Sequence, residues 1–252
     1  MPEQREILFV NAQVSSRHTA SANAAIYPNI GLLTLMSNVE QAASEEGYRL
    51  TYFDGTVYGN DVLESYIDEH SENVAAACFS TLTSNYGASV AMGKRLKALN
   101  PEAVTVFGND HFSAVYNQAM NNQPAIDYGF YGNDVVTGFS KFIIDKLAGR
   151  MDDLTRYPGL VFRSGEAVVR NAEYSAEYGK LALINYGLVD SLLPHQTRYN
   201  EGQQETYFFM RDRKLKSQVV DIGRGCIKFA GSRTNNIPVN ACDFCAEFGK
   251  KA

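Results

Sequence analysis

Apolar positions along the chain fall into short unbroken runs separated by stretches of helical periodicity, the pattern of buried strands joined by amphipathic helices. Ile7-Leu8-Phe9-Val10 predicts a first strand, and a long polar loop follows from Asn11 to Tyr27. Pro28-Asn29-Ile30-Gly31 leads into a helix through about Glu46, with Leu32, Leu33, Leu35, Met36 and Val39 on one face. Gly47 ends it, and Tyr48 to Phe53 returns as a strand that turns at Asp54-Gly55. A second helix over Asp61 to His70 feeds Val74-Ala75-Ala76-Ala77-Cys78-Phe79-Ser80. That run has no polar alternation, which predicts a strand buried on both faces in the middle of a parallel sheet.

A hydroxyl-rich turn, Thr81-Leu82-Thr83-Ser84-Asn85, opens a third helix over Ala88 to Leu99. Asn100-Pro101 breaks the pattern, and Ala103 to Phe107 is a fourth strand ending in Gly108-Asn109-Asp110-His111. Phe112 to Asn121 is a short helix and Ile126 to Tyr131 a fifth, weaker strand; Gly132-Asn133-Asp134 caps a helix from Val135 to about Leu147. Repeated strand-helix units imply an α/β fold, a doubly wound, Rossmann-like or flavodoxin-like parallel sheet of five strands over residues 5–150.

The character then changes. Leu160-Val161-Phe162-Arg163 and Ala167-Val168-Val169-Arg170 flank Ser164-Gly165-Glu166, which predicts a β-hairpin with a three-residue loop. Asn171 to Glu205 is irregular and reads as a linker across the first domain, so residues 151–205 are hairpin and linker. Residues 206–252 form a further segment, in which Thr206 to Met210 and Ser217 to Ile222 resemble strands.

Composition narrows the partners. Net charge is −5 with both signs interspersed, which argues against a nucleic-acid surface or an anionic membrane as main partner. No apolar run approaches the roughly 18 residues of a membrane helix, and Met1 to Glu6 does not read as a signal peptide; a cytoplasmic protein is expected. Cys78 stands alone in the central strand and reads as a small buried hydrophobe, whereas Cys226, Cys242 and Cys245 crowd the last 27 residues. In a reducing compartment such a cluster points to metal or redox chemistry rather than disulfides.

Several chemistries are struck off by their motifs. There is no G-x-x-x-x-G-K-[ST] loop, no G-x-G-x-x-G after a strand, no G-x-S-x-G elbow and no H-E-x-x-H. What stands out is three small-residue and hydroxyl-bearing turns after the third, fourth and fifth strands: Thr81 to Ser84, Gly108 to His111, and Gly132 to Asp134. Any one of them can be a helix cap and nothing more. Three on one sheet edge, where open α/β sheets bind ligands, favour a large flat or phosphorylated molecule.

Six pieces follow one another in order: Pro28-Asn29-Ile30-Gly31-Leu32, Cys78-Phe79-Ser80-Thr81-Leu82-Thr83, Lys97-Ala98-Leu99-Asn100-Pro101, Val106 to His111, Asp127 to Asp134, and Tyr157-Pro158-Gly159-Leu160-Val161-Phe162-Arg163. Through them residues 5–170 resemble the cobalamin-binding domain that precedes the catalytic barrel in cobalamin-dependent radical S-adenosylmethionine enzymes. The resemblance implies a corrinoid held by Thr81, Leu82, Thr83, Ser84, Gly108, Asn109, His111, Gly132 and Asn133. Two motifs depart from it: Asn109-Asp110 stands where the family has the second Gly of Gly-Gly-x-His and its neighbour, and Gly132-Asn133-Asp134-Val135 where it has Gly-Glu-Gly-Glu. The D-x-H-x-x-G motif of other corrinoid domains, whose His ligates cobalt, is missing, and His111 follows the wrong strand for that role; capping or contact with the ligand's tail suits it better.

Asp221-Ile222-Gly223-Arg224-Gly225-Cys226 with Cys242-Asp243-Phe244-Cys245 resembles the opening of a radical S-adenosylmethionine barrel. There, three thiolates hold three irons of a [4Fe-4S] cluster and leave the fourth open to S-adenosylmethionine. The usual C-x-x-x-C-x-x-C spacing is stretched here by the fifteen residues Ile227 to Ala241, and a zinc knuckle or inert thiols are the alternatives. Only seven residues follow Cys245, against the roughly 200 of a barrel, so the catalytic barrel and its small-molecule or peptide substrate contacts lie outside this chain. Two competing functions are a non-catalytic corrinoid carrier or sensor, and a flavodoxin-like electron carrier whose Ser15 to Ser21 loop cradles the FMN phosphate.

Overall fold

A computed structural model describes residues 4–13, 27–132, 135–173 and 181–206. The strands are β1 (Glu6–Asn11), β2 (Arg49–Asp54), β3 (Val74–Ser80), β4 (Val104–Gly108), β5 (Tyr128–Phe130), β6 (Leu160–Ser164) and β7 (Ala167–Arg170). They form one sheet in the order β2-β1-β3-β4-β5-β6-β7. The first five are mutually parallel, and β6 and β7 continue the sheet antiparallel beyond β5. The expected parallel α/β core is therefore present, with the hairpin as its extension.

The helices are α1 (Ile30–Glu45), α2 (Gly55–Tyr58), α3 (Asn60–His70), α4 (Tyr86–Leu99), α5 (Asp110–Asn122), α6 (Val136–Leu147) and α7 (His195–Thr206). Strand side chains alternate between two cores, as a period of two requires. Ile7, Phe9, Ala76 and Cys78 pack with residues of α1 and α6 on one face; Leu8, Val10, Ala77 and Phe79 pack with residues of α3, α4 and α5 on the other. Every residue of β3 is buried, in keeping with its unbroken apolar run. Burial pushes the Cys78 thiol well above its ordinary range, so it stays an inert core group.

Three details differ from the sequence expectation. Ser164 pairs with Ala167, so the hairpin loop has two residues, Gly165 and Glu166, and Gly165 takes a φ of 61° that suits a tight primed turn. The Asp54-Gly55 turn starts α2, because Asp54 caps it by accepting from the Thr56 N–H. The stretch read as an irregular linker holds a 3₁₀ turn at Tyr186–Asp190 and α7 up to its last residue. Helix α7 is polar almost all round and buries His195 and Tyr199, four residues apart, so it leaves no apolar stripe for periodicity to detect. Thr206, expected to open a strand, ends α7 instead, and the rest of that strand, the strand over Ser217 to Ile222, the expected caps Asn133 and Asp134 and the Ser15 to Ser21 loop lie outside the described residues.

The chain divides into two compact units, Met1–Ser217 and Gln218–Ala252, the second wholly outside the described residues. Among the described residues no helix is long and apolar enough to cross a membrane.

Candidate functional site

The strand order turns back at β1 and β3: the chain leaves β1 toward β2 and leaves β3 toward β4. The carboxyl ends of these strands border the crevice where such sheets bind ligands. Asn85 ties the two ends together. Its Oδ1 accepts from the Leu82 N–H at 2.8 Å, and its Nδ2 lies 3.2 Å from the Ala12 carbonyl and 3.3 Å from that of Ser80. The Thr81 to Asn85 turn is thereby held in one shape while Leu82, Thr83 and Ser84 remain exposed above it.

Thr81 is fully buried, and its N–H and hydroxyl both donate to the Gly108 carbonyl, at 2.9 and 2.7 Å. Its own carbonyl accepts from the His111 N–H at 3.1 Å. Thr81 is thus a staple between the β3 and β4 loops rather than an open donor. Thr83 is exposed, and its Oγ1 shares a hydrogen bond with His111 Nδ1 at 3.1 Å. The His111 ring also lies 4.4 Å from that of Tyr86, and partial burial holds the imidazole below its ordinary pKa. His111 is therefore neutral near pH 7 and braces the β3 loop.

Ser80 is the convergence point that sequence reasoning missed. Its Oγ accepts from Asn29 Nδ2 at 3.1 Å and Asn109 Nδ2 at 3.0 Å. The orientation of both amides follows from their caps. Asn29 Oδ1 accepts from the Leu32 N–H and Asn109 Oδ1 from the Asp110 N–H, which turns each NH₂ toward Ser80. Two donors occupy the Ser80 oxygen and leave its hydrogen to donate. The detectable signal was Asn29, an Asn directly before an apolar helix.

Asn109 has φ 79° and ψ −174°, a region that glycine enters freely and other residues rarely do. This accounts for the departure from Gly-Gly-x-His: the backbone asks for glycine, and the two hydrogen bonds of the amide offset the strain. Gly108 leaves the edge open, since a Cβ there would meet only the Phe130 carbonyl, at 3.7 Å.

Gly132 donates its N–H to Ser113 Oγ at 3.1 Å and has φ 95°; a Cβ there would fall 2.3 Å from Glu173 Oε2. Next to it Tyr131 packs edge-on to Tyr116, ring centres 5.5 Å apart, with the Arg170 guanidinium 4.1 Å above the Tyr131 ring. The structure thus brings together Thr81, Leu82, Thr83, Ser84, Gly108, Asn109, His111 and Gly132 along one edge. Asn133, Cys226, Cys242 and Cys245 lie outside the described residues, and among the described residues no group of three or more His, Cys, Asp or Glu side chains is placed to hold a metal ion.

A second polar cluster sits behind Asn29. Tyr52 OH accepts from the Asn29 N–H at 3.0 Å and lies 3.1 Å from Tyr199 OH, which donates to Asp54 Oδ2 at 2.6 Å. His195 Nε2 accepts from the Asp54 N–H at 3.1 Å, and its Nδ1 sits 2.9 Å from the Leu193 carbonyl, so the ring is neutral with its proton on Nδ1. Burial pushes both tyrosines up and His195 down.

These features define a doubly wound α/β protein with an open, hydrogen-bonded carboxyl edge. No protein-family model matches the sequence, and no curated protein matches it significantly. Among the solved structures that share its fold are two of one enzyme. The cobalamin-dependent S-adenosylmethionine radical enzyme OxsB with aqua-cobalamin bound superposes with TM-score 0.58 at 14% identity, covering 79% of this chain and 26% of OxsB. The same enzyme with aqua-cobalamin and S-adenosylmethionine bound gives TM-score 0.57 at 14% identity, with the same coverage. The chain therefore spans about a quarter of the length of these structures. The resemblance carried by the sequence motifs is met at the level of the fold.

Proposed function

We propose that the carboxyl edge of the sheet binds cobalamin, and that the chain is the cobalamin-binding part of a B12-dependent radical S-adenosylmethionine enzyme, a cytoplasmic protein of the methyl-transferring kind. The observation that carries this reading is the exposed Leu82-Thr83-Ser84 ledge, held rigid from beneath by Asn85, Thr81 and His111. A ledge with one apolar and two hydroxyl-bearing residues suits a large flat macrocycle fringed with amides. Leu82, at 44% exposure, contacts the ring; Thr83 and Ser84 bond its amide fringe; Gly108 and Asn109 let the backbone come close. Gly132 continues the contact along the β5 loop, and the sequence resemblance assigns Asn133 to the same ligand. When bound, cobalamin supplies a cobalt centre that takes up and passes on a methyl group.

The thiolates of Cys226, Cys242 and Cys245 hold a [4Fe-4S] cluster that engages S-adenosylmethionine, on the strength of the sequence resemblance.

Titration with hydroxocobalamin, followed by absorbance, is expected to saturate near one equivalent, and Thr83→Trp is expected to weaken it at least about tenfold. No spectral change would overturn the reading. Anaerobic reconstitution is expected to give a chain with iron and sulfide that Cys242→Ala removes; a chain that binds the corrinoid but never iron is a carrier or sensor instead. The strand order β2-β1-β3-β4-β5 is also that of FMN-binding flavodoxin-like sheets, so FMN is the control ligand.

A further inference from the structure

We propose that Arg170, with Tyr131 and Tyr116, forms an anion subsite at the far end of the edge that takes the phosphodiester of the corrinoid's nucleotide tail. This rests on the cobalamin reading above and assigns a contact to a residue outside the three loops.

Register puts Arg170 on the right edge. Phe130 pairs with Leu160 and Val161 with Arg170, so the end of β7 lies at the carboxyl end of β5. The guanidinium sits 4.1 Å over the Tyr131 ring and 5.4 Å from the Tyr116 ring. Tyr131 is fixed through its N–H, which donates to the Gly159 carbonyl at 2.8 Å. The surface is continuous with the ledge: Thr83 bonds His111 in the first turn of α5, Ser113 in the same helix bonds Gly132, and Tyr131 follows.

Of the other described arginines, Arg49, Arg95, Arg150, Arg156 and Arg198 each pair with a carboxylate, Arg163 donates to the carbonyls of Met120, Gln123 and Ile126, and Arg5 lies 6.0 Å from the Tyr48 ring at the opposite, amino end of the sheet. Among the described residues Arg170 has neither kind of partner, although the chain carries a net charge of −5 and is rich in carboxylates. It is exposed, and cation–π contact holds the guanidinium against the Tyr131 ring. A planar fork fixed in this way matches a phosphate, which it engages through two parallel charge-assisted bonds. The Glu173 carboxylate lies beside Gly132 and bounds the positive region on that side.

The test compares hydroxocobalamin with cobinamide, which has the macrocycle but no nucleotide tail, on the full chain by absorbance titration. Wild type is expected to bind cobalamin at least about tenfold more tightly than cobinamide. Arg170→Gln is expected to lower cobalamin affinity about tenfold and change cobinamide affinity less than about twofold, with Arg170→Lys falling between. Unchanged thermal melting keeps the comparison clear of folding effects. Equal losses for both ligands, or no loss for either, would overturn the subsite while leaving corrinoid binding intact. Failure of wild type to bind either ligand would sink the cofactor reading and the subsite with it.

Discussion

At the scale of single residues, the edge is governed by Ser80 and Asn109. Ser80 Oγ receives two amide donors in a largely buried position. Ser80→Ala strands both, and denaturant unfolding is expected to show a loss of about 1–3 kcal/mol. Asn109 holds a φ of 79°. Asn109→Gly relieves that conformation but gives up the cap, whereas Asn109→Ala gives up the cap and keeps the strain. The alanine variant is therefore expected to be the less stable of the two by about 1 kcal/mol, and the reverse order would contradict the strain account. Neither role was legible from the residues alone. A Ser ending an apolar strand looks like any small residue, and a positive φ leaves no mark at an Asn. Only the departure from a glycine-bearing motif flagged the position.

At the scale of elements, close approach of helices to the sheet depends on glycines and on one buried polar cluster. A Cβ on Gly138 would lie 2.2 Å from the Pro158 carbonyl, a backbone atom with no room to yield. Gly138→Ala is expected to push α6 off the Tyr157-Pro158-Gly159 turn and to cost about 1–3 kcal/mol in a thermal or urea melt. Helix α7 is held by His195, whose Nε2 must stay unprotonated to accept from Asp54. Burial lowers the folded imidazole below its ordinary value, so the unfolded chain binds the proton more readily. Stability from this site is complete above the unfolded value near 6.5 and falls as pH drops below it. Denaturation at pH 7.5 and 5.5 is expected to show that loss in wild type and a smaller one in His195→Gln; equal losses would remove His195 from the account. The strands and helices α1 and α3 to α6 were legible because each carries an apolar run or stripe, whereas α2 is a single turn capped by Asp54 and reads as a turn. Helix α7 was not, because two buried side chains and a hydrogen-bond network anchor it instead of an apolar face.

For the whole molecule, the chain's organisation follows from its topology. A sheet that winds outward in both directions from β1 and β3 leaves one crevice at its carboxyl edge, and Asn85 closes its floor. The position of that crevice could be read in advance from the order of strands and hydroxyl-bearing turns. Its support could not, since the network from Ser80 through Asn29 and Tyr52 to Tyr199 joins residues more than a hundred positions apart. Crystals of the chain soaked with hydroxocobalamin give the most direct test. The account predicts density for a corrin ring against Leu82, Thr83 and Ser84, with its nucleotide phosphate near Arg170. An empty ledge at saturating ligand, or a corrinoid bound elsewhere on the molecule, would contradict it.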